Sequence, residues 1–193
     1  MVASSTNINS TTNIEFINVN KNCQRKVTEF KQNGQIQIYK SSYRGSYSSI
    51  IRDSLRNAAL GRKVLLVQLM KGGVDQGISN AQNLCGNLTW IRSANSFDEY
   101  NSADLINDEN LSILIKNSIK ELWDFCKKEL LSGNYDQIIL DEIFLAVEMK
   151  IIDKDDLIST LDERFMPGDV ILTGTAIPNN FLLMADQVTE LRS

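Results

Sequence analysis

From residue 35 onward, short apolar runs alternate with longer stretches in which large aliphatic side chains return every three or four residues. A brief apolar run bounded by turn residues suits a strand buried on both faces, whereas the longer recurrence suits an amphipathic helix. Strands are predicted at residues 36–39, 64–69, 88–91, 138–140, 170–172 and 187–191. Between the third and fourth, Leu111, Leu114, Ile115, Ile119, Leu122, Phe125, Cys126 and Leu130 trace one apolar helix face. Asp153 stands where an N-cap would open a short helix carrying Leu157, Ile158 and Leu161. Met166-Pro167-Gly168-Asp169 reads as the turn into the next strand. Strands alternating with helices predict an α/β fold: one three-layer domain over residues 36–193, with a mainly parallel sheet of about six strands.

The preceding stretch has none of this pattern. Its first 22 residues hold six Asn and six Ser or Thr, too little apolar surface to offset the entropy of ordering. Residues 1–35 are therefore expected to be a polar, mobile arm, ending in a basic connector over 23–35. No uninterrupted apolar run follows a basic start, so the arm does not resemble a secretory signal.

At 193 residues and 42% hydrophobic content, the chain has the length of one domain and enough apolar material for a core. No run approaches the roughly 18 apolar residues of a membrane span. Cys23, Cys85 and Cys126 are odd in number and contain no CxxC pair, which argues against a disulfide framework or a cysteine zinc site and suits a reducing cytoplasm. There is no histidine, so a Ser/His/Asp triad, a Cys/His dyad and any histidine-ligated metal are excluded. Residues 1–72 carry 11 Lys/Arg against 3 Asp/Glu, while 73–193 carry 9 against 21. The basic residues are neither clustered nor interleaved with aromatics, so nucleic acid is not an expected partner.

Ligands of open parallel sheets bind beyond the carboxyl ends of the strands. Three of those loops attract attention. The first strand runs into Lys40-Ser41-Ser42-Tyr43-Arg44-Gly45-Ser46-Tyr47-Ser48, where a phosphate loop would lie. The fourth runs into Asp141-Glu142, two acids suited to Mg²⁺ but equally favoured by the dipole of a following helix. The fifth runs into Thr173-Gly174-Thr175-Ala176-Ile177-Pro178. Lys71-Gly72, after the second strand, could approach phosphate or form a solvated turn.

Four segments occur in one order: VLLVQLMKG from Val64, YDQIILDEI from Tyr135, LTGTAIP from Leu172 and ADQVTELR from Ala185. Together they resemble the ATP:corrinoid adenosyltransferase family over about residues 36–192. The resemblance implies a fold related to P-loop ATPases and transfer of the 5′-deoxyadenosyl group of ATP to the cobalt of a reduced corrinoid, with Mg²⁺. The corrinoid is itself the nucleophile, so the lack of histidine is no obstacle. It also implies small-molecule ligands and a homodimer.

Carried over position by position, the resemblance implies a nucleotide site at Ser41, Arg44, Gly45, Ser46, Ser48 and Lys71, a metal site at Asp141 and Glu142, and corrinoid contacts at Leu88 and Trp90. The last two fall in Gly86-Asn87-Leu88-Thr89-Trp90, similar to the family's G-x-F-T-W; a strand Trp is otherwise a core residue. The family's phosphate loop, approximately TGNGKGKTT, aligns on Lys40 to Ser48. Ser41 and Tyr43 replace two glycines, Ser46 replaces the phosphate-binding lysine and Tyr47 the magnesium-ligating threonine. Phe144 replaces an asparagine, and Thr175 replaces the arginine of TGR-x-AP. Loss of one charge-assisted contact of about 1.5–3 kcal/mol predicts roughly 10- to 100-fold weaker triphosphate binding. The expected function is that of a catalytically impaired family member; the alternative is a non-catalytic paralogue that binds a nucleotide, a corrinoid or a protein. A generic P-loop kinase or ATPase ranks last, since the missing lysine harms it equally.

Overall fold

The computed structural model describes residues 34–44, 47–72, 74–93, 109–165 and 167–191, with side chains from residue 113 onward in the longest helix. Residues 1–33 of the expected arm, Gly45, Ser46, Met166 and the side chain of Leu111 lie outside the described residues.

Among the described residues, seven strands form one sheet: β1 (Ile36–Ser41), β2 (Val64–Gln68), β3 (Gln82–Leu84), β4 (Leu88–Arg92), β5 (Gln137–Asp141), β6 (Asp169–Gly174) and β7 (Gln187–Leu191). The described α-helices are α1 (Ser48–Ala59), α2 (Glu109–Ser132), α3 (Ile143–Glu148), α4 (Lys154–Glu163) and α5 (Asn179–Met184). The order across the sheet is β3-β4-β2-β5-β6-β1-β7, and every pairing is parallel except β3 with β4. The carboxyl ends of six strands therefore share one edge. The three-layer α/β expectation holds.

Alternation along β2 shows why both faces need covering. Leu65 and Val67 join Ile38, Leu140, Leu172 and the helical residues Ile115, Ile119 and Leu157 in one core. Val64 and Leu66 join Leu88, Ile139, Ile171 and α1 residues Ile50 and Ala58 in a second. Both β2 and β5 are buried at all five positions, which is why they read as continuous apolar runs.

The seventh strand, β3, escapes the pattern because it reads Gln-Asn-Leu and is largely exposed. It exists through backbone pairing with β4, across a tight turn in which Cys85 and Gly86 have positive φ of 52° and 75°.

The apolar face of α2 also differs from expectation. Ile115, Ile119, Leu122, Cys126 and Leu130 are buried, but Leu114 is 59% exposed and Trp123 is buried at 4%. Trp123 belongs there because its indole Nε1 donates to Asp156 Oδ2 of α4 at 2.7 Å, giving the one polar atom of a large apolar ring a partner. Lys127 Nζ reaches the same carboxylate at 3.0 Å. Asp153 caps α4 as expected, accepting from the Asp155 and Asp156 amides at 2.9 Å each.

This contact titrates. Burial raises the Asp156 pKa, but the Trp123 and Lys127 hydrogen bonds and the Lys127 charge outweigh it and hold the carboxyl below its ordinary range. A carboxyl whose folded pKa is depressed contributes stability that is complete above its unfolded value, about 3.9, and is lost as pH falls through the folded value. Asp156→Asn should therefore lower the melting temperature by a constant amount above about pH 5, and the deficit should close as pH falls below about 4. A deficit independent of pH in thermal melts would show that ionisation contributes nothing.

Candidate active site

Register places a polar row on the last rung of the sheet. Gln68 lies beside Arg92 of β4 on one side and beside Asp141 of β5 on the other. Farther along, Thr173 of β6 lies beside Tyr39 of β1. Gln68, Asp141, Glu142 and Thr173 are each at most 2% exposed. At that depth each polar atom needs a partner, because an unmatched one forfeits its hydration for nothing.

Gln68 Nε2 donates to Asp141 Oδ2 at 2.8 Å, while its Oε1 accepts from Trp90 Nε1 at 3.0 Å and Arg92 Nε at 2.8 Å. Arg92 also lies over the Trp90 ring, 4.7 Å from its centroid. Asp141 Oδ2 receives Lys71 Nζ at 3.2 Å, and Oδ1 receives the Thr173 hydroxyl at 2.8 Å. Thr173 Oγ1 in turn accepts from the Glu142 amide at 2.7 Å.

Glu142 has a left-handed backbone, φ 60°, a conformation that costs a side-chain-bearing residue of the order of 1 kcal/mol and persists where surroundings over-determine it. Both of its oxygens are held by Arg44: Nε reaches Oε1 at 3.2 Å and Nη2 reaches Oε2 at 2.9 Å. The same Nη2 donates to the Met70 carbonyl at 3.2 Å. One guanidinium thus ties together the loops after β1, β2 and β5.

Tyr47, immediately before α1, turns its ring inward to 1% exposure and joins the core beneath that helix. Among the described residues its buried hydroxyl makes no hydrogen bond of full geometry, although the Gly174 backbone and the Thr173 side chain lie close enough to act on it. Burial first, then the charges of Asp141 and Glu142, push its pKa up to about 12, so the phenol is neutral throughout the physiological range. Across the network, Phe144 packs edge-to-face on Phe181 with centroids 5.1 Å apart. A Cβ on Gly174 would come within 2.7 Å of Phe144 Cβ, so glycine is what allows β6 to close on α3.

The structure accordingly brings Arg44, Lys71, Asp141, Glu142 and Trp90 into one bonded network. Ser41 is buried at the end of β1 and Ser48 is exposed at the start of α1. Leu88 lies apart: it opens β4 opposite Val64, four residues before Arg92, and is 1% exposed in the core beneath α1. Gln68, Thr173 and Arg92 complete the network without having been singled out as site residues. The available signal was a glutamine ending the apolar run Val64-Leu65-Leu66-Val67.

Mg²⁺ demands near-octahedral oxygen ligands. Both Asp141 oxygens accept hydrogen bonds and both Glu142 oxygens are engaged by Arg44, so the acidic pair as arranged does not fit the ion. Among the described residues, no group of three or more His, Cys, Asp or Glu could hold a metal.

Two substitutions separate a well-bonded hydroxyl from a poorly bonded one. Thr173→Val removes a partner from Asp141 and from the Glu142 amide and should destabilise by about 1–3 kcal/mol. Tyr47→Phe deletes a hydroxyl that makes no well-formed hydrogen bond among the described residues and should shift the unfolding midpoint far less than Thr173→Val does. Denaturant unfolding measures both, and a loss above about 1 kcal/mol in Tyr47→Phe would show that the hydroxyl is bonded.

The family model for ATP:corrinoid adenosyltransferase BtuR/CobO/CobP matches residues 32–193. The chain is similar to a corrinoid adenosyltransferase of Escherichia coli K12, with 25% identity over 169 residues that cover 83% of this chain and 78% of the relative. It is also similar to the corrinoid adenosyltransferase CobA of Salmonella typhimurium LT2, 23% identical over 170 residues, 84% of this chain and 78% of that one. An uncharacterized protein of Nostoc sp. PCC 7120 is 24% identical over 172 residues, 82% of this chain and 44% of its own length.

Proposed function

The chain belongs to the ATP:corrinoid adenosyltransferase family, and on that premise we propose that it is a member whose transfer of 5′-deoxyadenosyl from ATP to a cob(I)alamin-type corrinoid is severely impaired. In that reaction a bond forms between cobalt and C5′ of ATP, the C5′–oxygen bond breaks, and triphosphate leaves as an anion. Catalysis consists of holding C5′ against the cobalt and stabilising the charge that develops on the leaving group.

The observation that carries this reading is the saturation of the polar network. Arg44 and Lys71, two cations near the expected phosphate position, are each bonded to a buried carboxylate. Tyr47 fills the position of a hydroxyl residue with a buried ring, Ser46 stands for the lysine, and Thr175 for the arginine. Preorganised contacts to developing charge are typically worth about 2.7–4 kcal/mol each, so losing two implies a rate deficit of at least roughly 10⁴. Trp90 and Arg92, stacked at the edge of the network, are the residues offered to a corrinoid.

The second reading, a non-catalytic paralogue binding a nucleotide, a corrinoid or a protein, draws on the same saturation. A network that satisfies itself serves as structure without any ligand. Mg-ATP titration of the purified chain by calorimetry, followed by an adenosylation assay on cob(I)alamin, separates the readings. Affinity weaker than micromolar and little or no turnover are expected, with partial recovery only when Ser46→Lys, Tyr47→Thr and Tyr43→Gly are combined. Robust turnover by the unmodified protein would overturn the impaired reading.

A further inference from the structure

Each buried carboxylate of the network has its own paired cation. Asp141 and Glu142 contribute two negative charges, and Lys71 and Arg44 two positive ones, at 3.2 Å and 2.9 Å. Glu142's side chain is 3% exposed while Arg44's is 43% exposed. The anion is therefore buried and the cation covers it from the solvent side. The contact is a two-pronged fork, the strongest geometry available to an arginine and a carboxylate, and the third bond to the Met70 carbonyl fixes the guanidinium in register. An incoming divalent ion would have to strip three hydrogen bonds from Arg44 to reach Glu142.

We propose that Arg44 is the resident counter-ion of Glu142, taking the place of a divalent cation, so that the ligand-free protein takes up neither Mg²⁺ nor Mn²⁺ at this junction. The inference stands on the ion pairs and does not depend on whether adenosyl transfer occurs. It has a consequence for anions as well. A phosphate group that draws Arg44 away leaves Glu142 buried and uncompensated, a strongly unfavourable state, so a phosphate ligand is accepted only when it brings its own cation.

The test uses the purified full chain with metal alone, no nucleotide and no corrinoid, so its outcome is separate from that of the family reaction. Mn²⁺ binding is read by electron paramagnetic resonance, and thermal unfolding is followed in EDTA and in millimolar Mg²⁺. Wild type should bind no Mn²⁺ at micromolar concentrations, and its melting temperature should not respond to Mg²⁺. Arg44→Ala should melt lower in EDTA by roughly 5 °C, as expected for an exposed-side partner removed from a buried charge, and Mg²⁺ should restore at least half of the loss. Arg44→Gln, which retains a donor toward Glu142 and safeguards folding, should bind Mn²⁺ at least tenfold more tightly than wild type. Arg44→Lys should remain unresponsive, and Arg44→Ala combined with Glu142→Gln should lose the metal response. Wild-type Mn²⁺ binding as tight as that of Arg44→Gln, or neutral Arg44 variants that gain no metal response, would overturn the proposal.

Discussion

Two carboxylates buried at the end of a central strand set the terms for everything around them. Asp141 closes β5 and Glu142 opens the turn that follows, both 2% exposed. Charge at that depth is tolerable only when every oxygen has a donor and each charge a counter-charge. The neighbouring strands supply them from positions that would otherwise be apolar. Gln68 ends an all-buried strand to donate one bond; Thr173 places its hydroxyl between the Asp141 oxygen and the Glu142 amide. Lys71 and Arg44 bring the charges from the loops after β2 and β1. Removing either cation would turn a closed arrangement into a buried monopole.

That demand propagates outward into packing. The Gln68 amide has a fixed orientation because Trp90 and Arg92 both donate to its oxygen, so its nitrogen is left facing Asp141. Sheet edge and sheet centre are thereby linked through one side chain. Beneath the row, Phe144 and Phe181 fill the space behind Glu142 and require glycine at position 174. On the opposite face, the Tyr47 ring closes the gap under the start of α1. Its hydroxyl records a compromise: the ring's burial is favourable enough, at about 2 kcal/mol or more for a large side chain, to carry a poorly matched oxygen.

Legibility in the sequence followed the physics of each signal. Strands buried on both faces, such as Val64–Gln68 and Gln137–Asp141, announce themselves by unbroken apolar runs. The Gln82–Leu84 strand does not, because backbone pairing alone holds it and the hydrophobic pattern contains no trace of backbone pairing. Trp123 replaces Leu114 on the buried face of α2 because the face is decided by which residue finds Asp156, a tertiary partner 33 residues away. For the site, residue types were readable and pairings were not. Arg44, Lys71, Asp141 and Glu142 stood out as charged residues in the right loops, yet nothing in their spacing said that they would bond to one another, 98 and 70 residues apart. Gln68 was visible as part of the VLLVQLMKG segment, with nothing to say what it would bond.

The pairing changes the meaning of the departures from the family's phosphate loop. On the function proposed above, Ser46 for lysine and Tyr47 for threonine are losses of ligand contacts, and a chain that merely lost them would retain two carboxylates needing a cation. Here the deficit is closed from within, by an arginine that remains in the loop and reaches across to Glu142. A carboxylate held by an external ion makes stability depend on that ion's concentration, whereas a tethered guanidinium is supplied by the chain itself at any ion concentration. Such an arrangement stabilises the fold in the absence of any ligand and raises the free energy required to admit one. On the proposed reading scaffold and site are therefore in opposition at this position: the bonds that keep Glu142 buried and satisfied are the bonds that a ligand there would have to break.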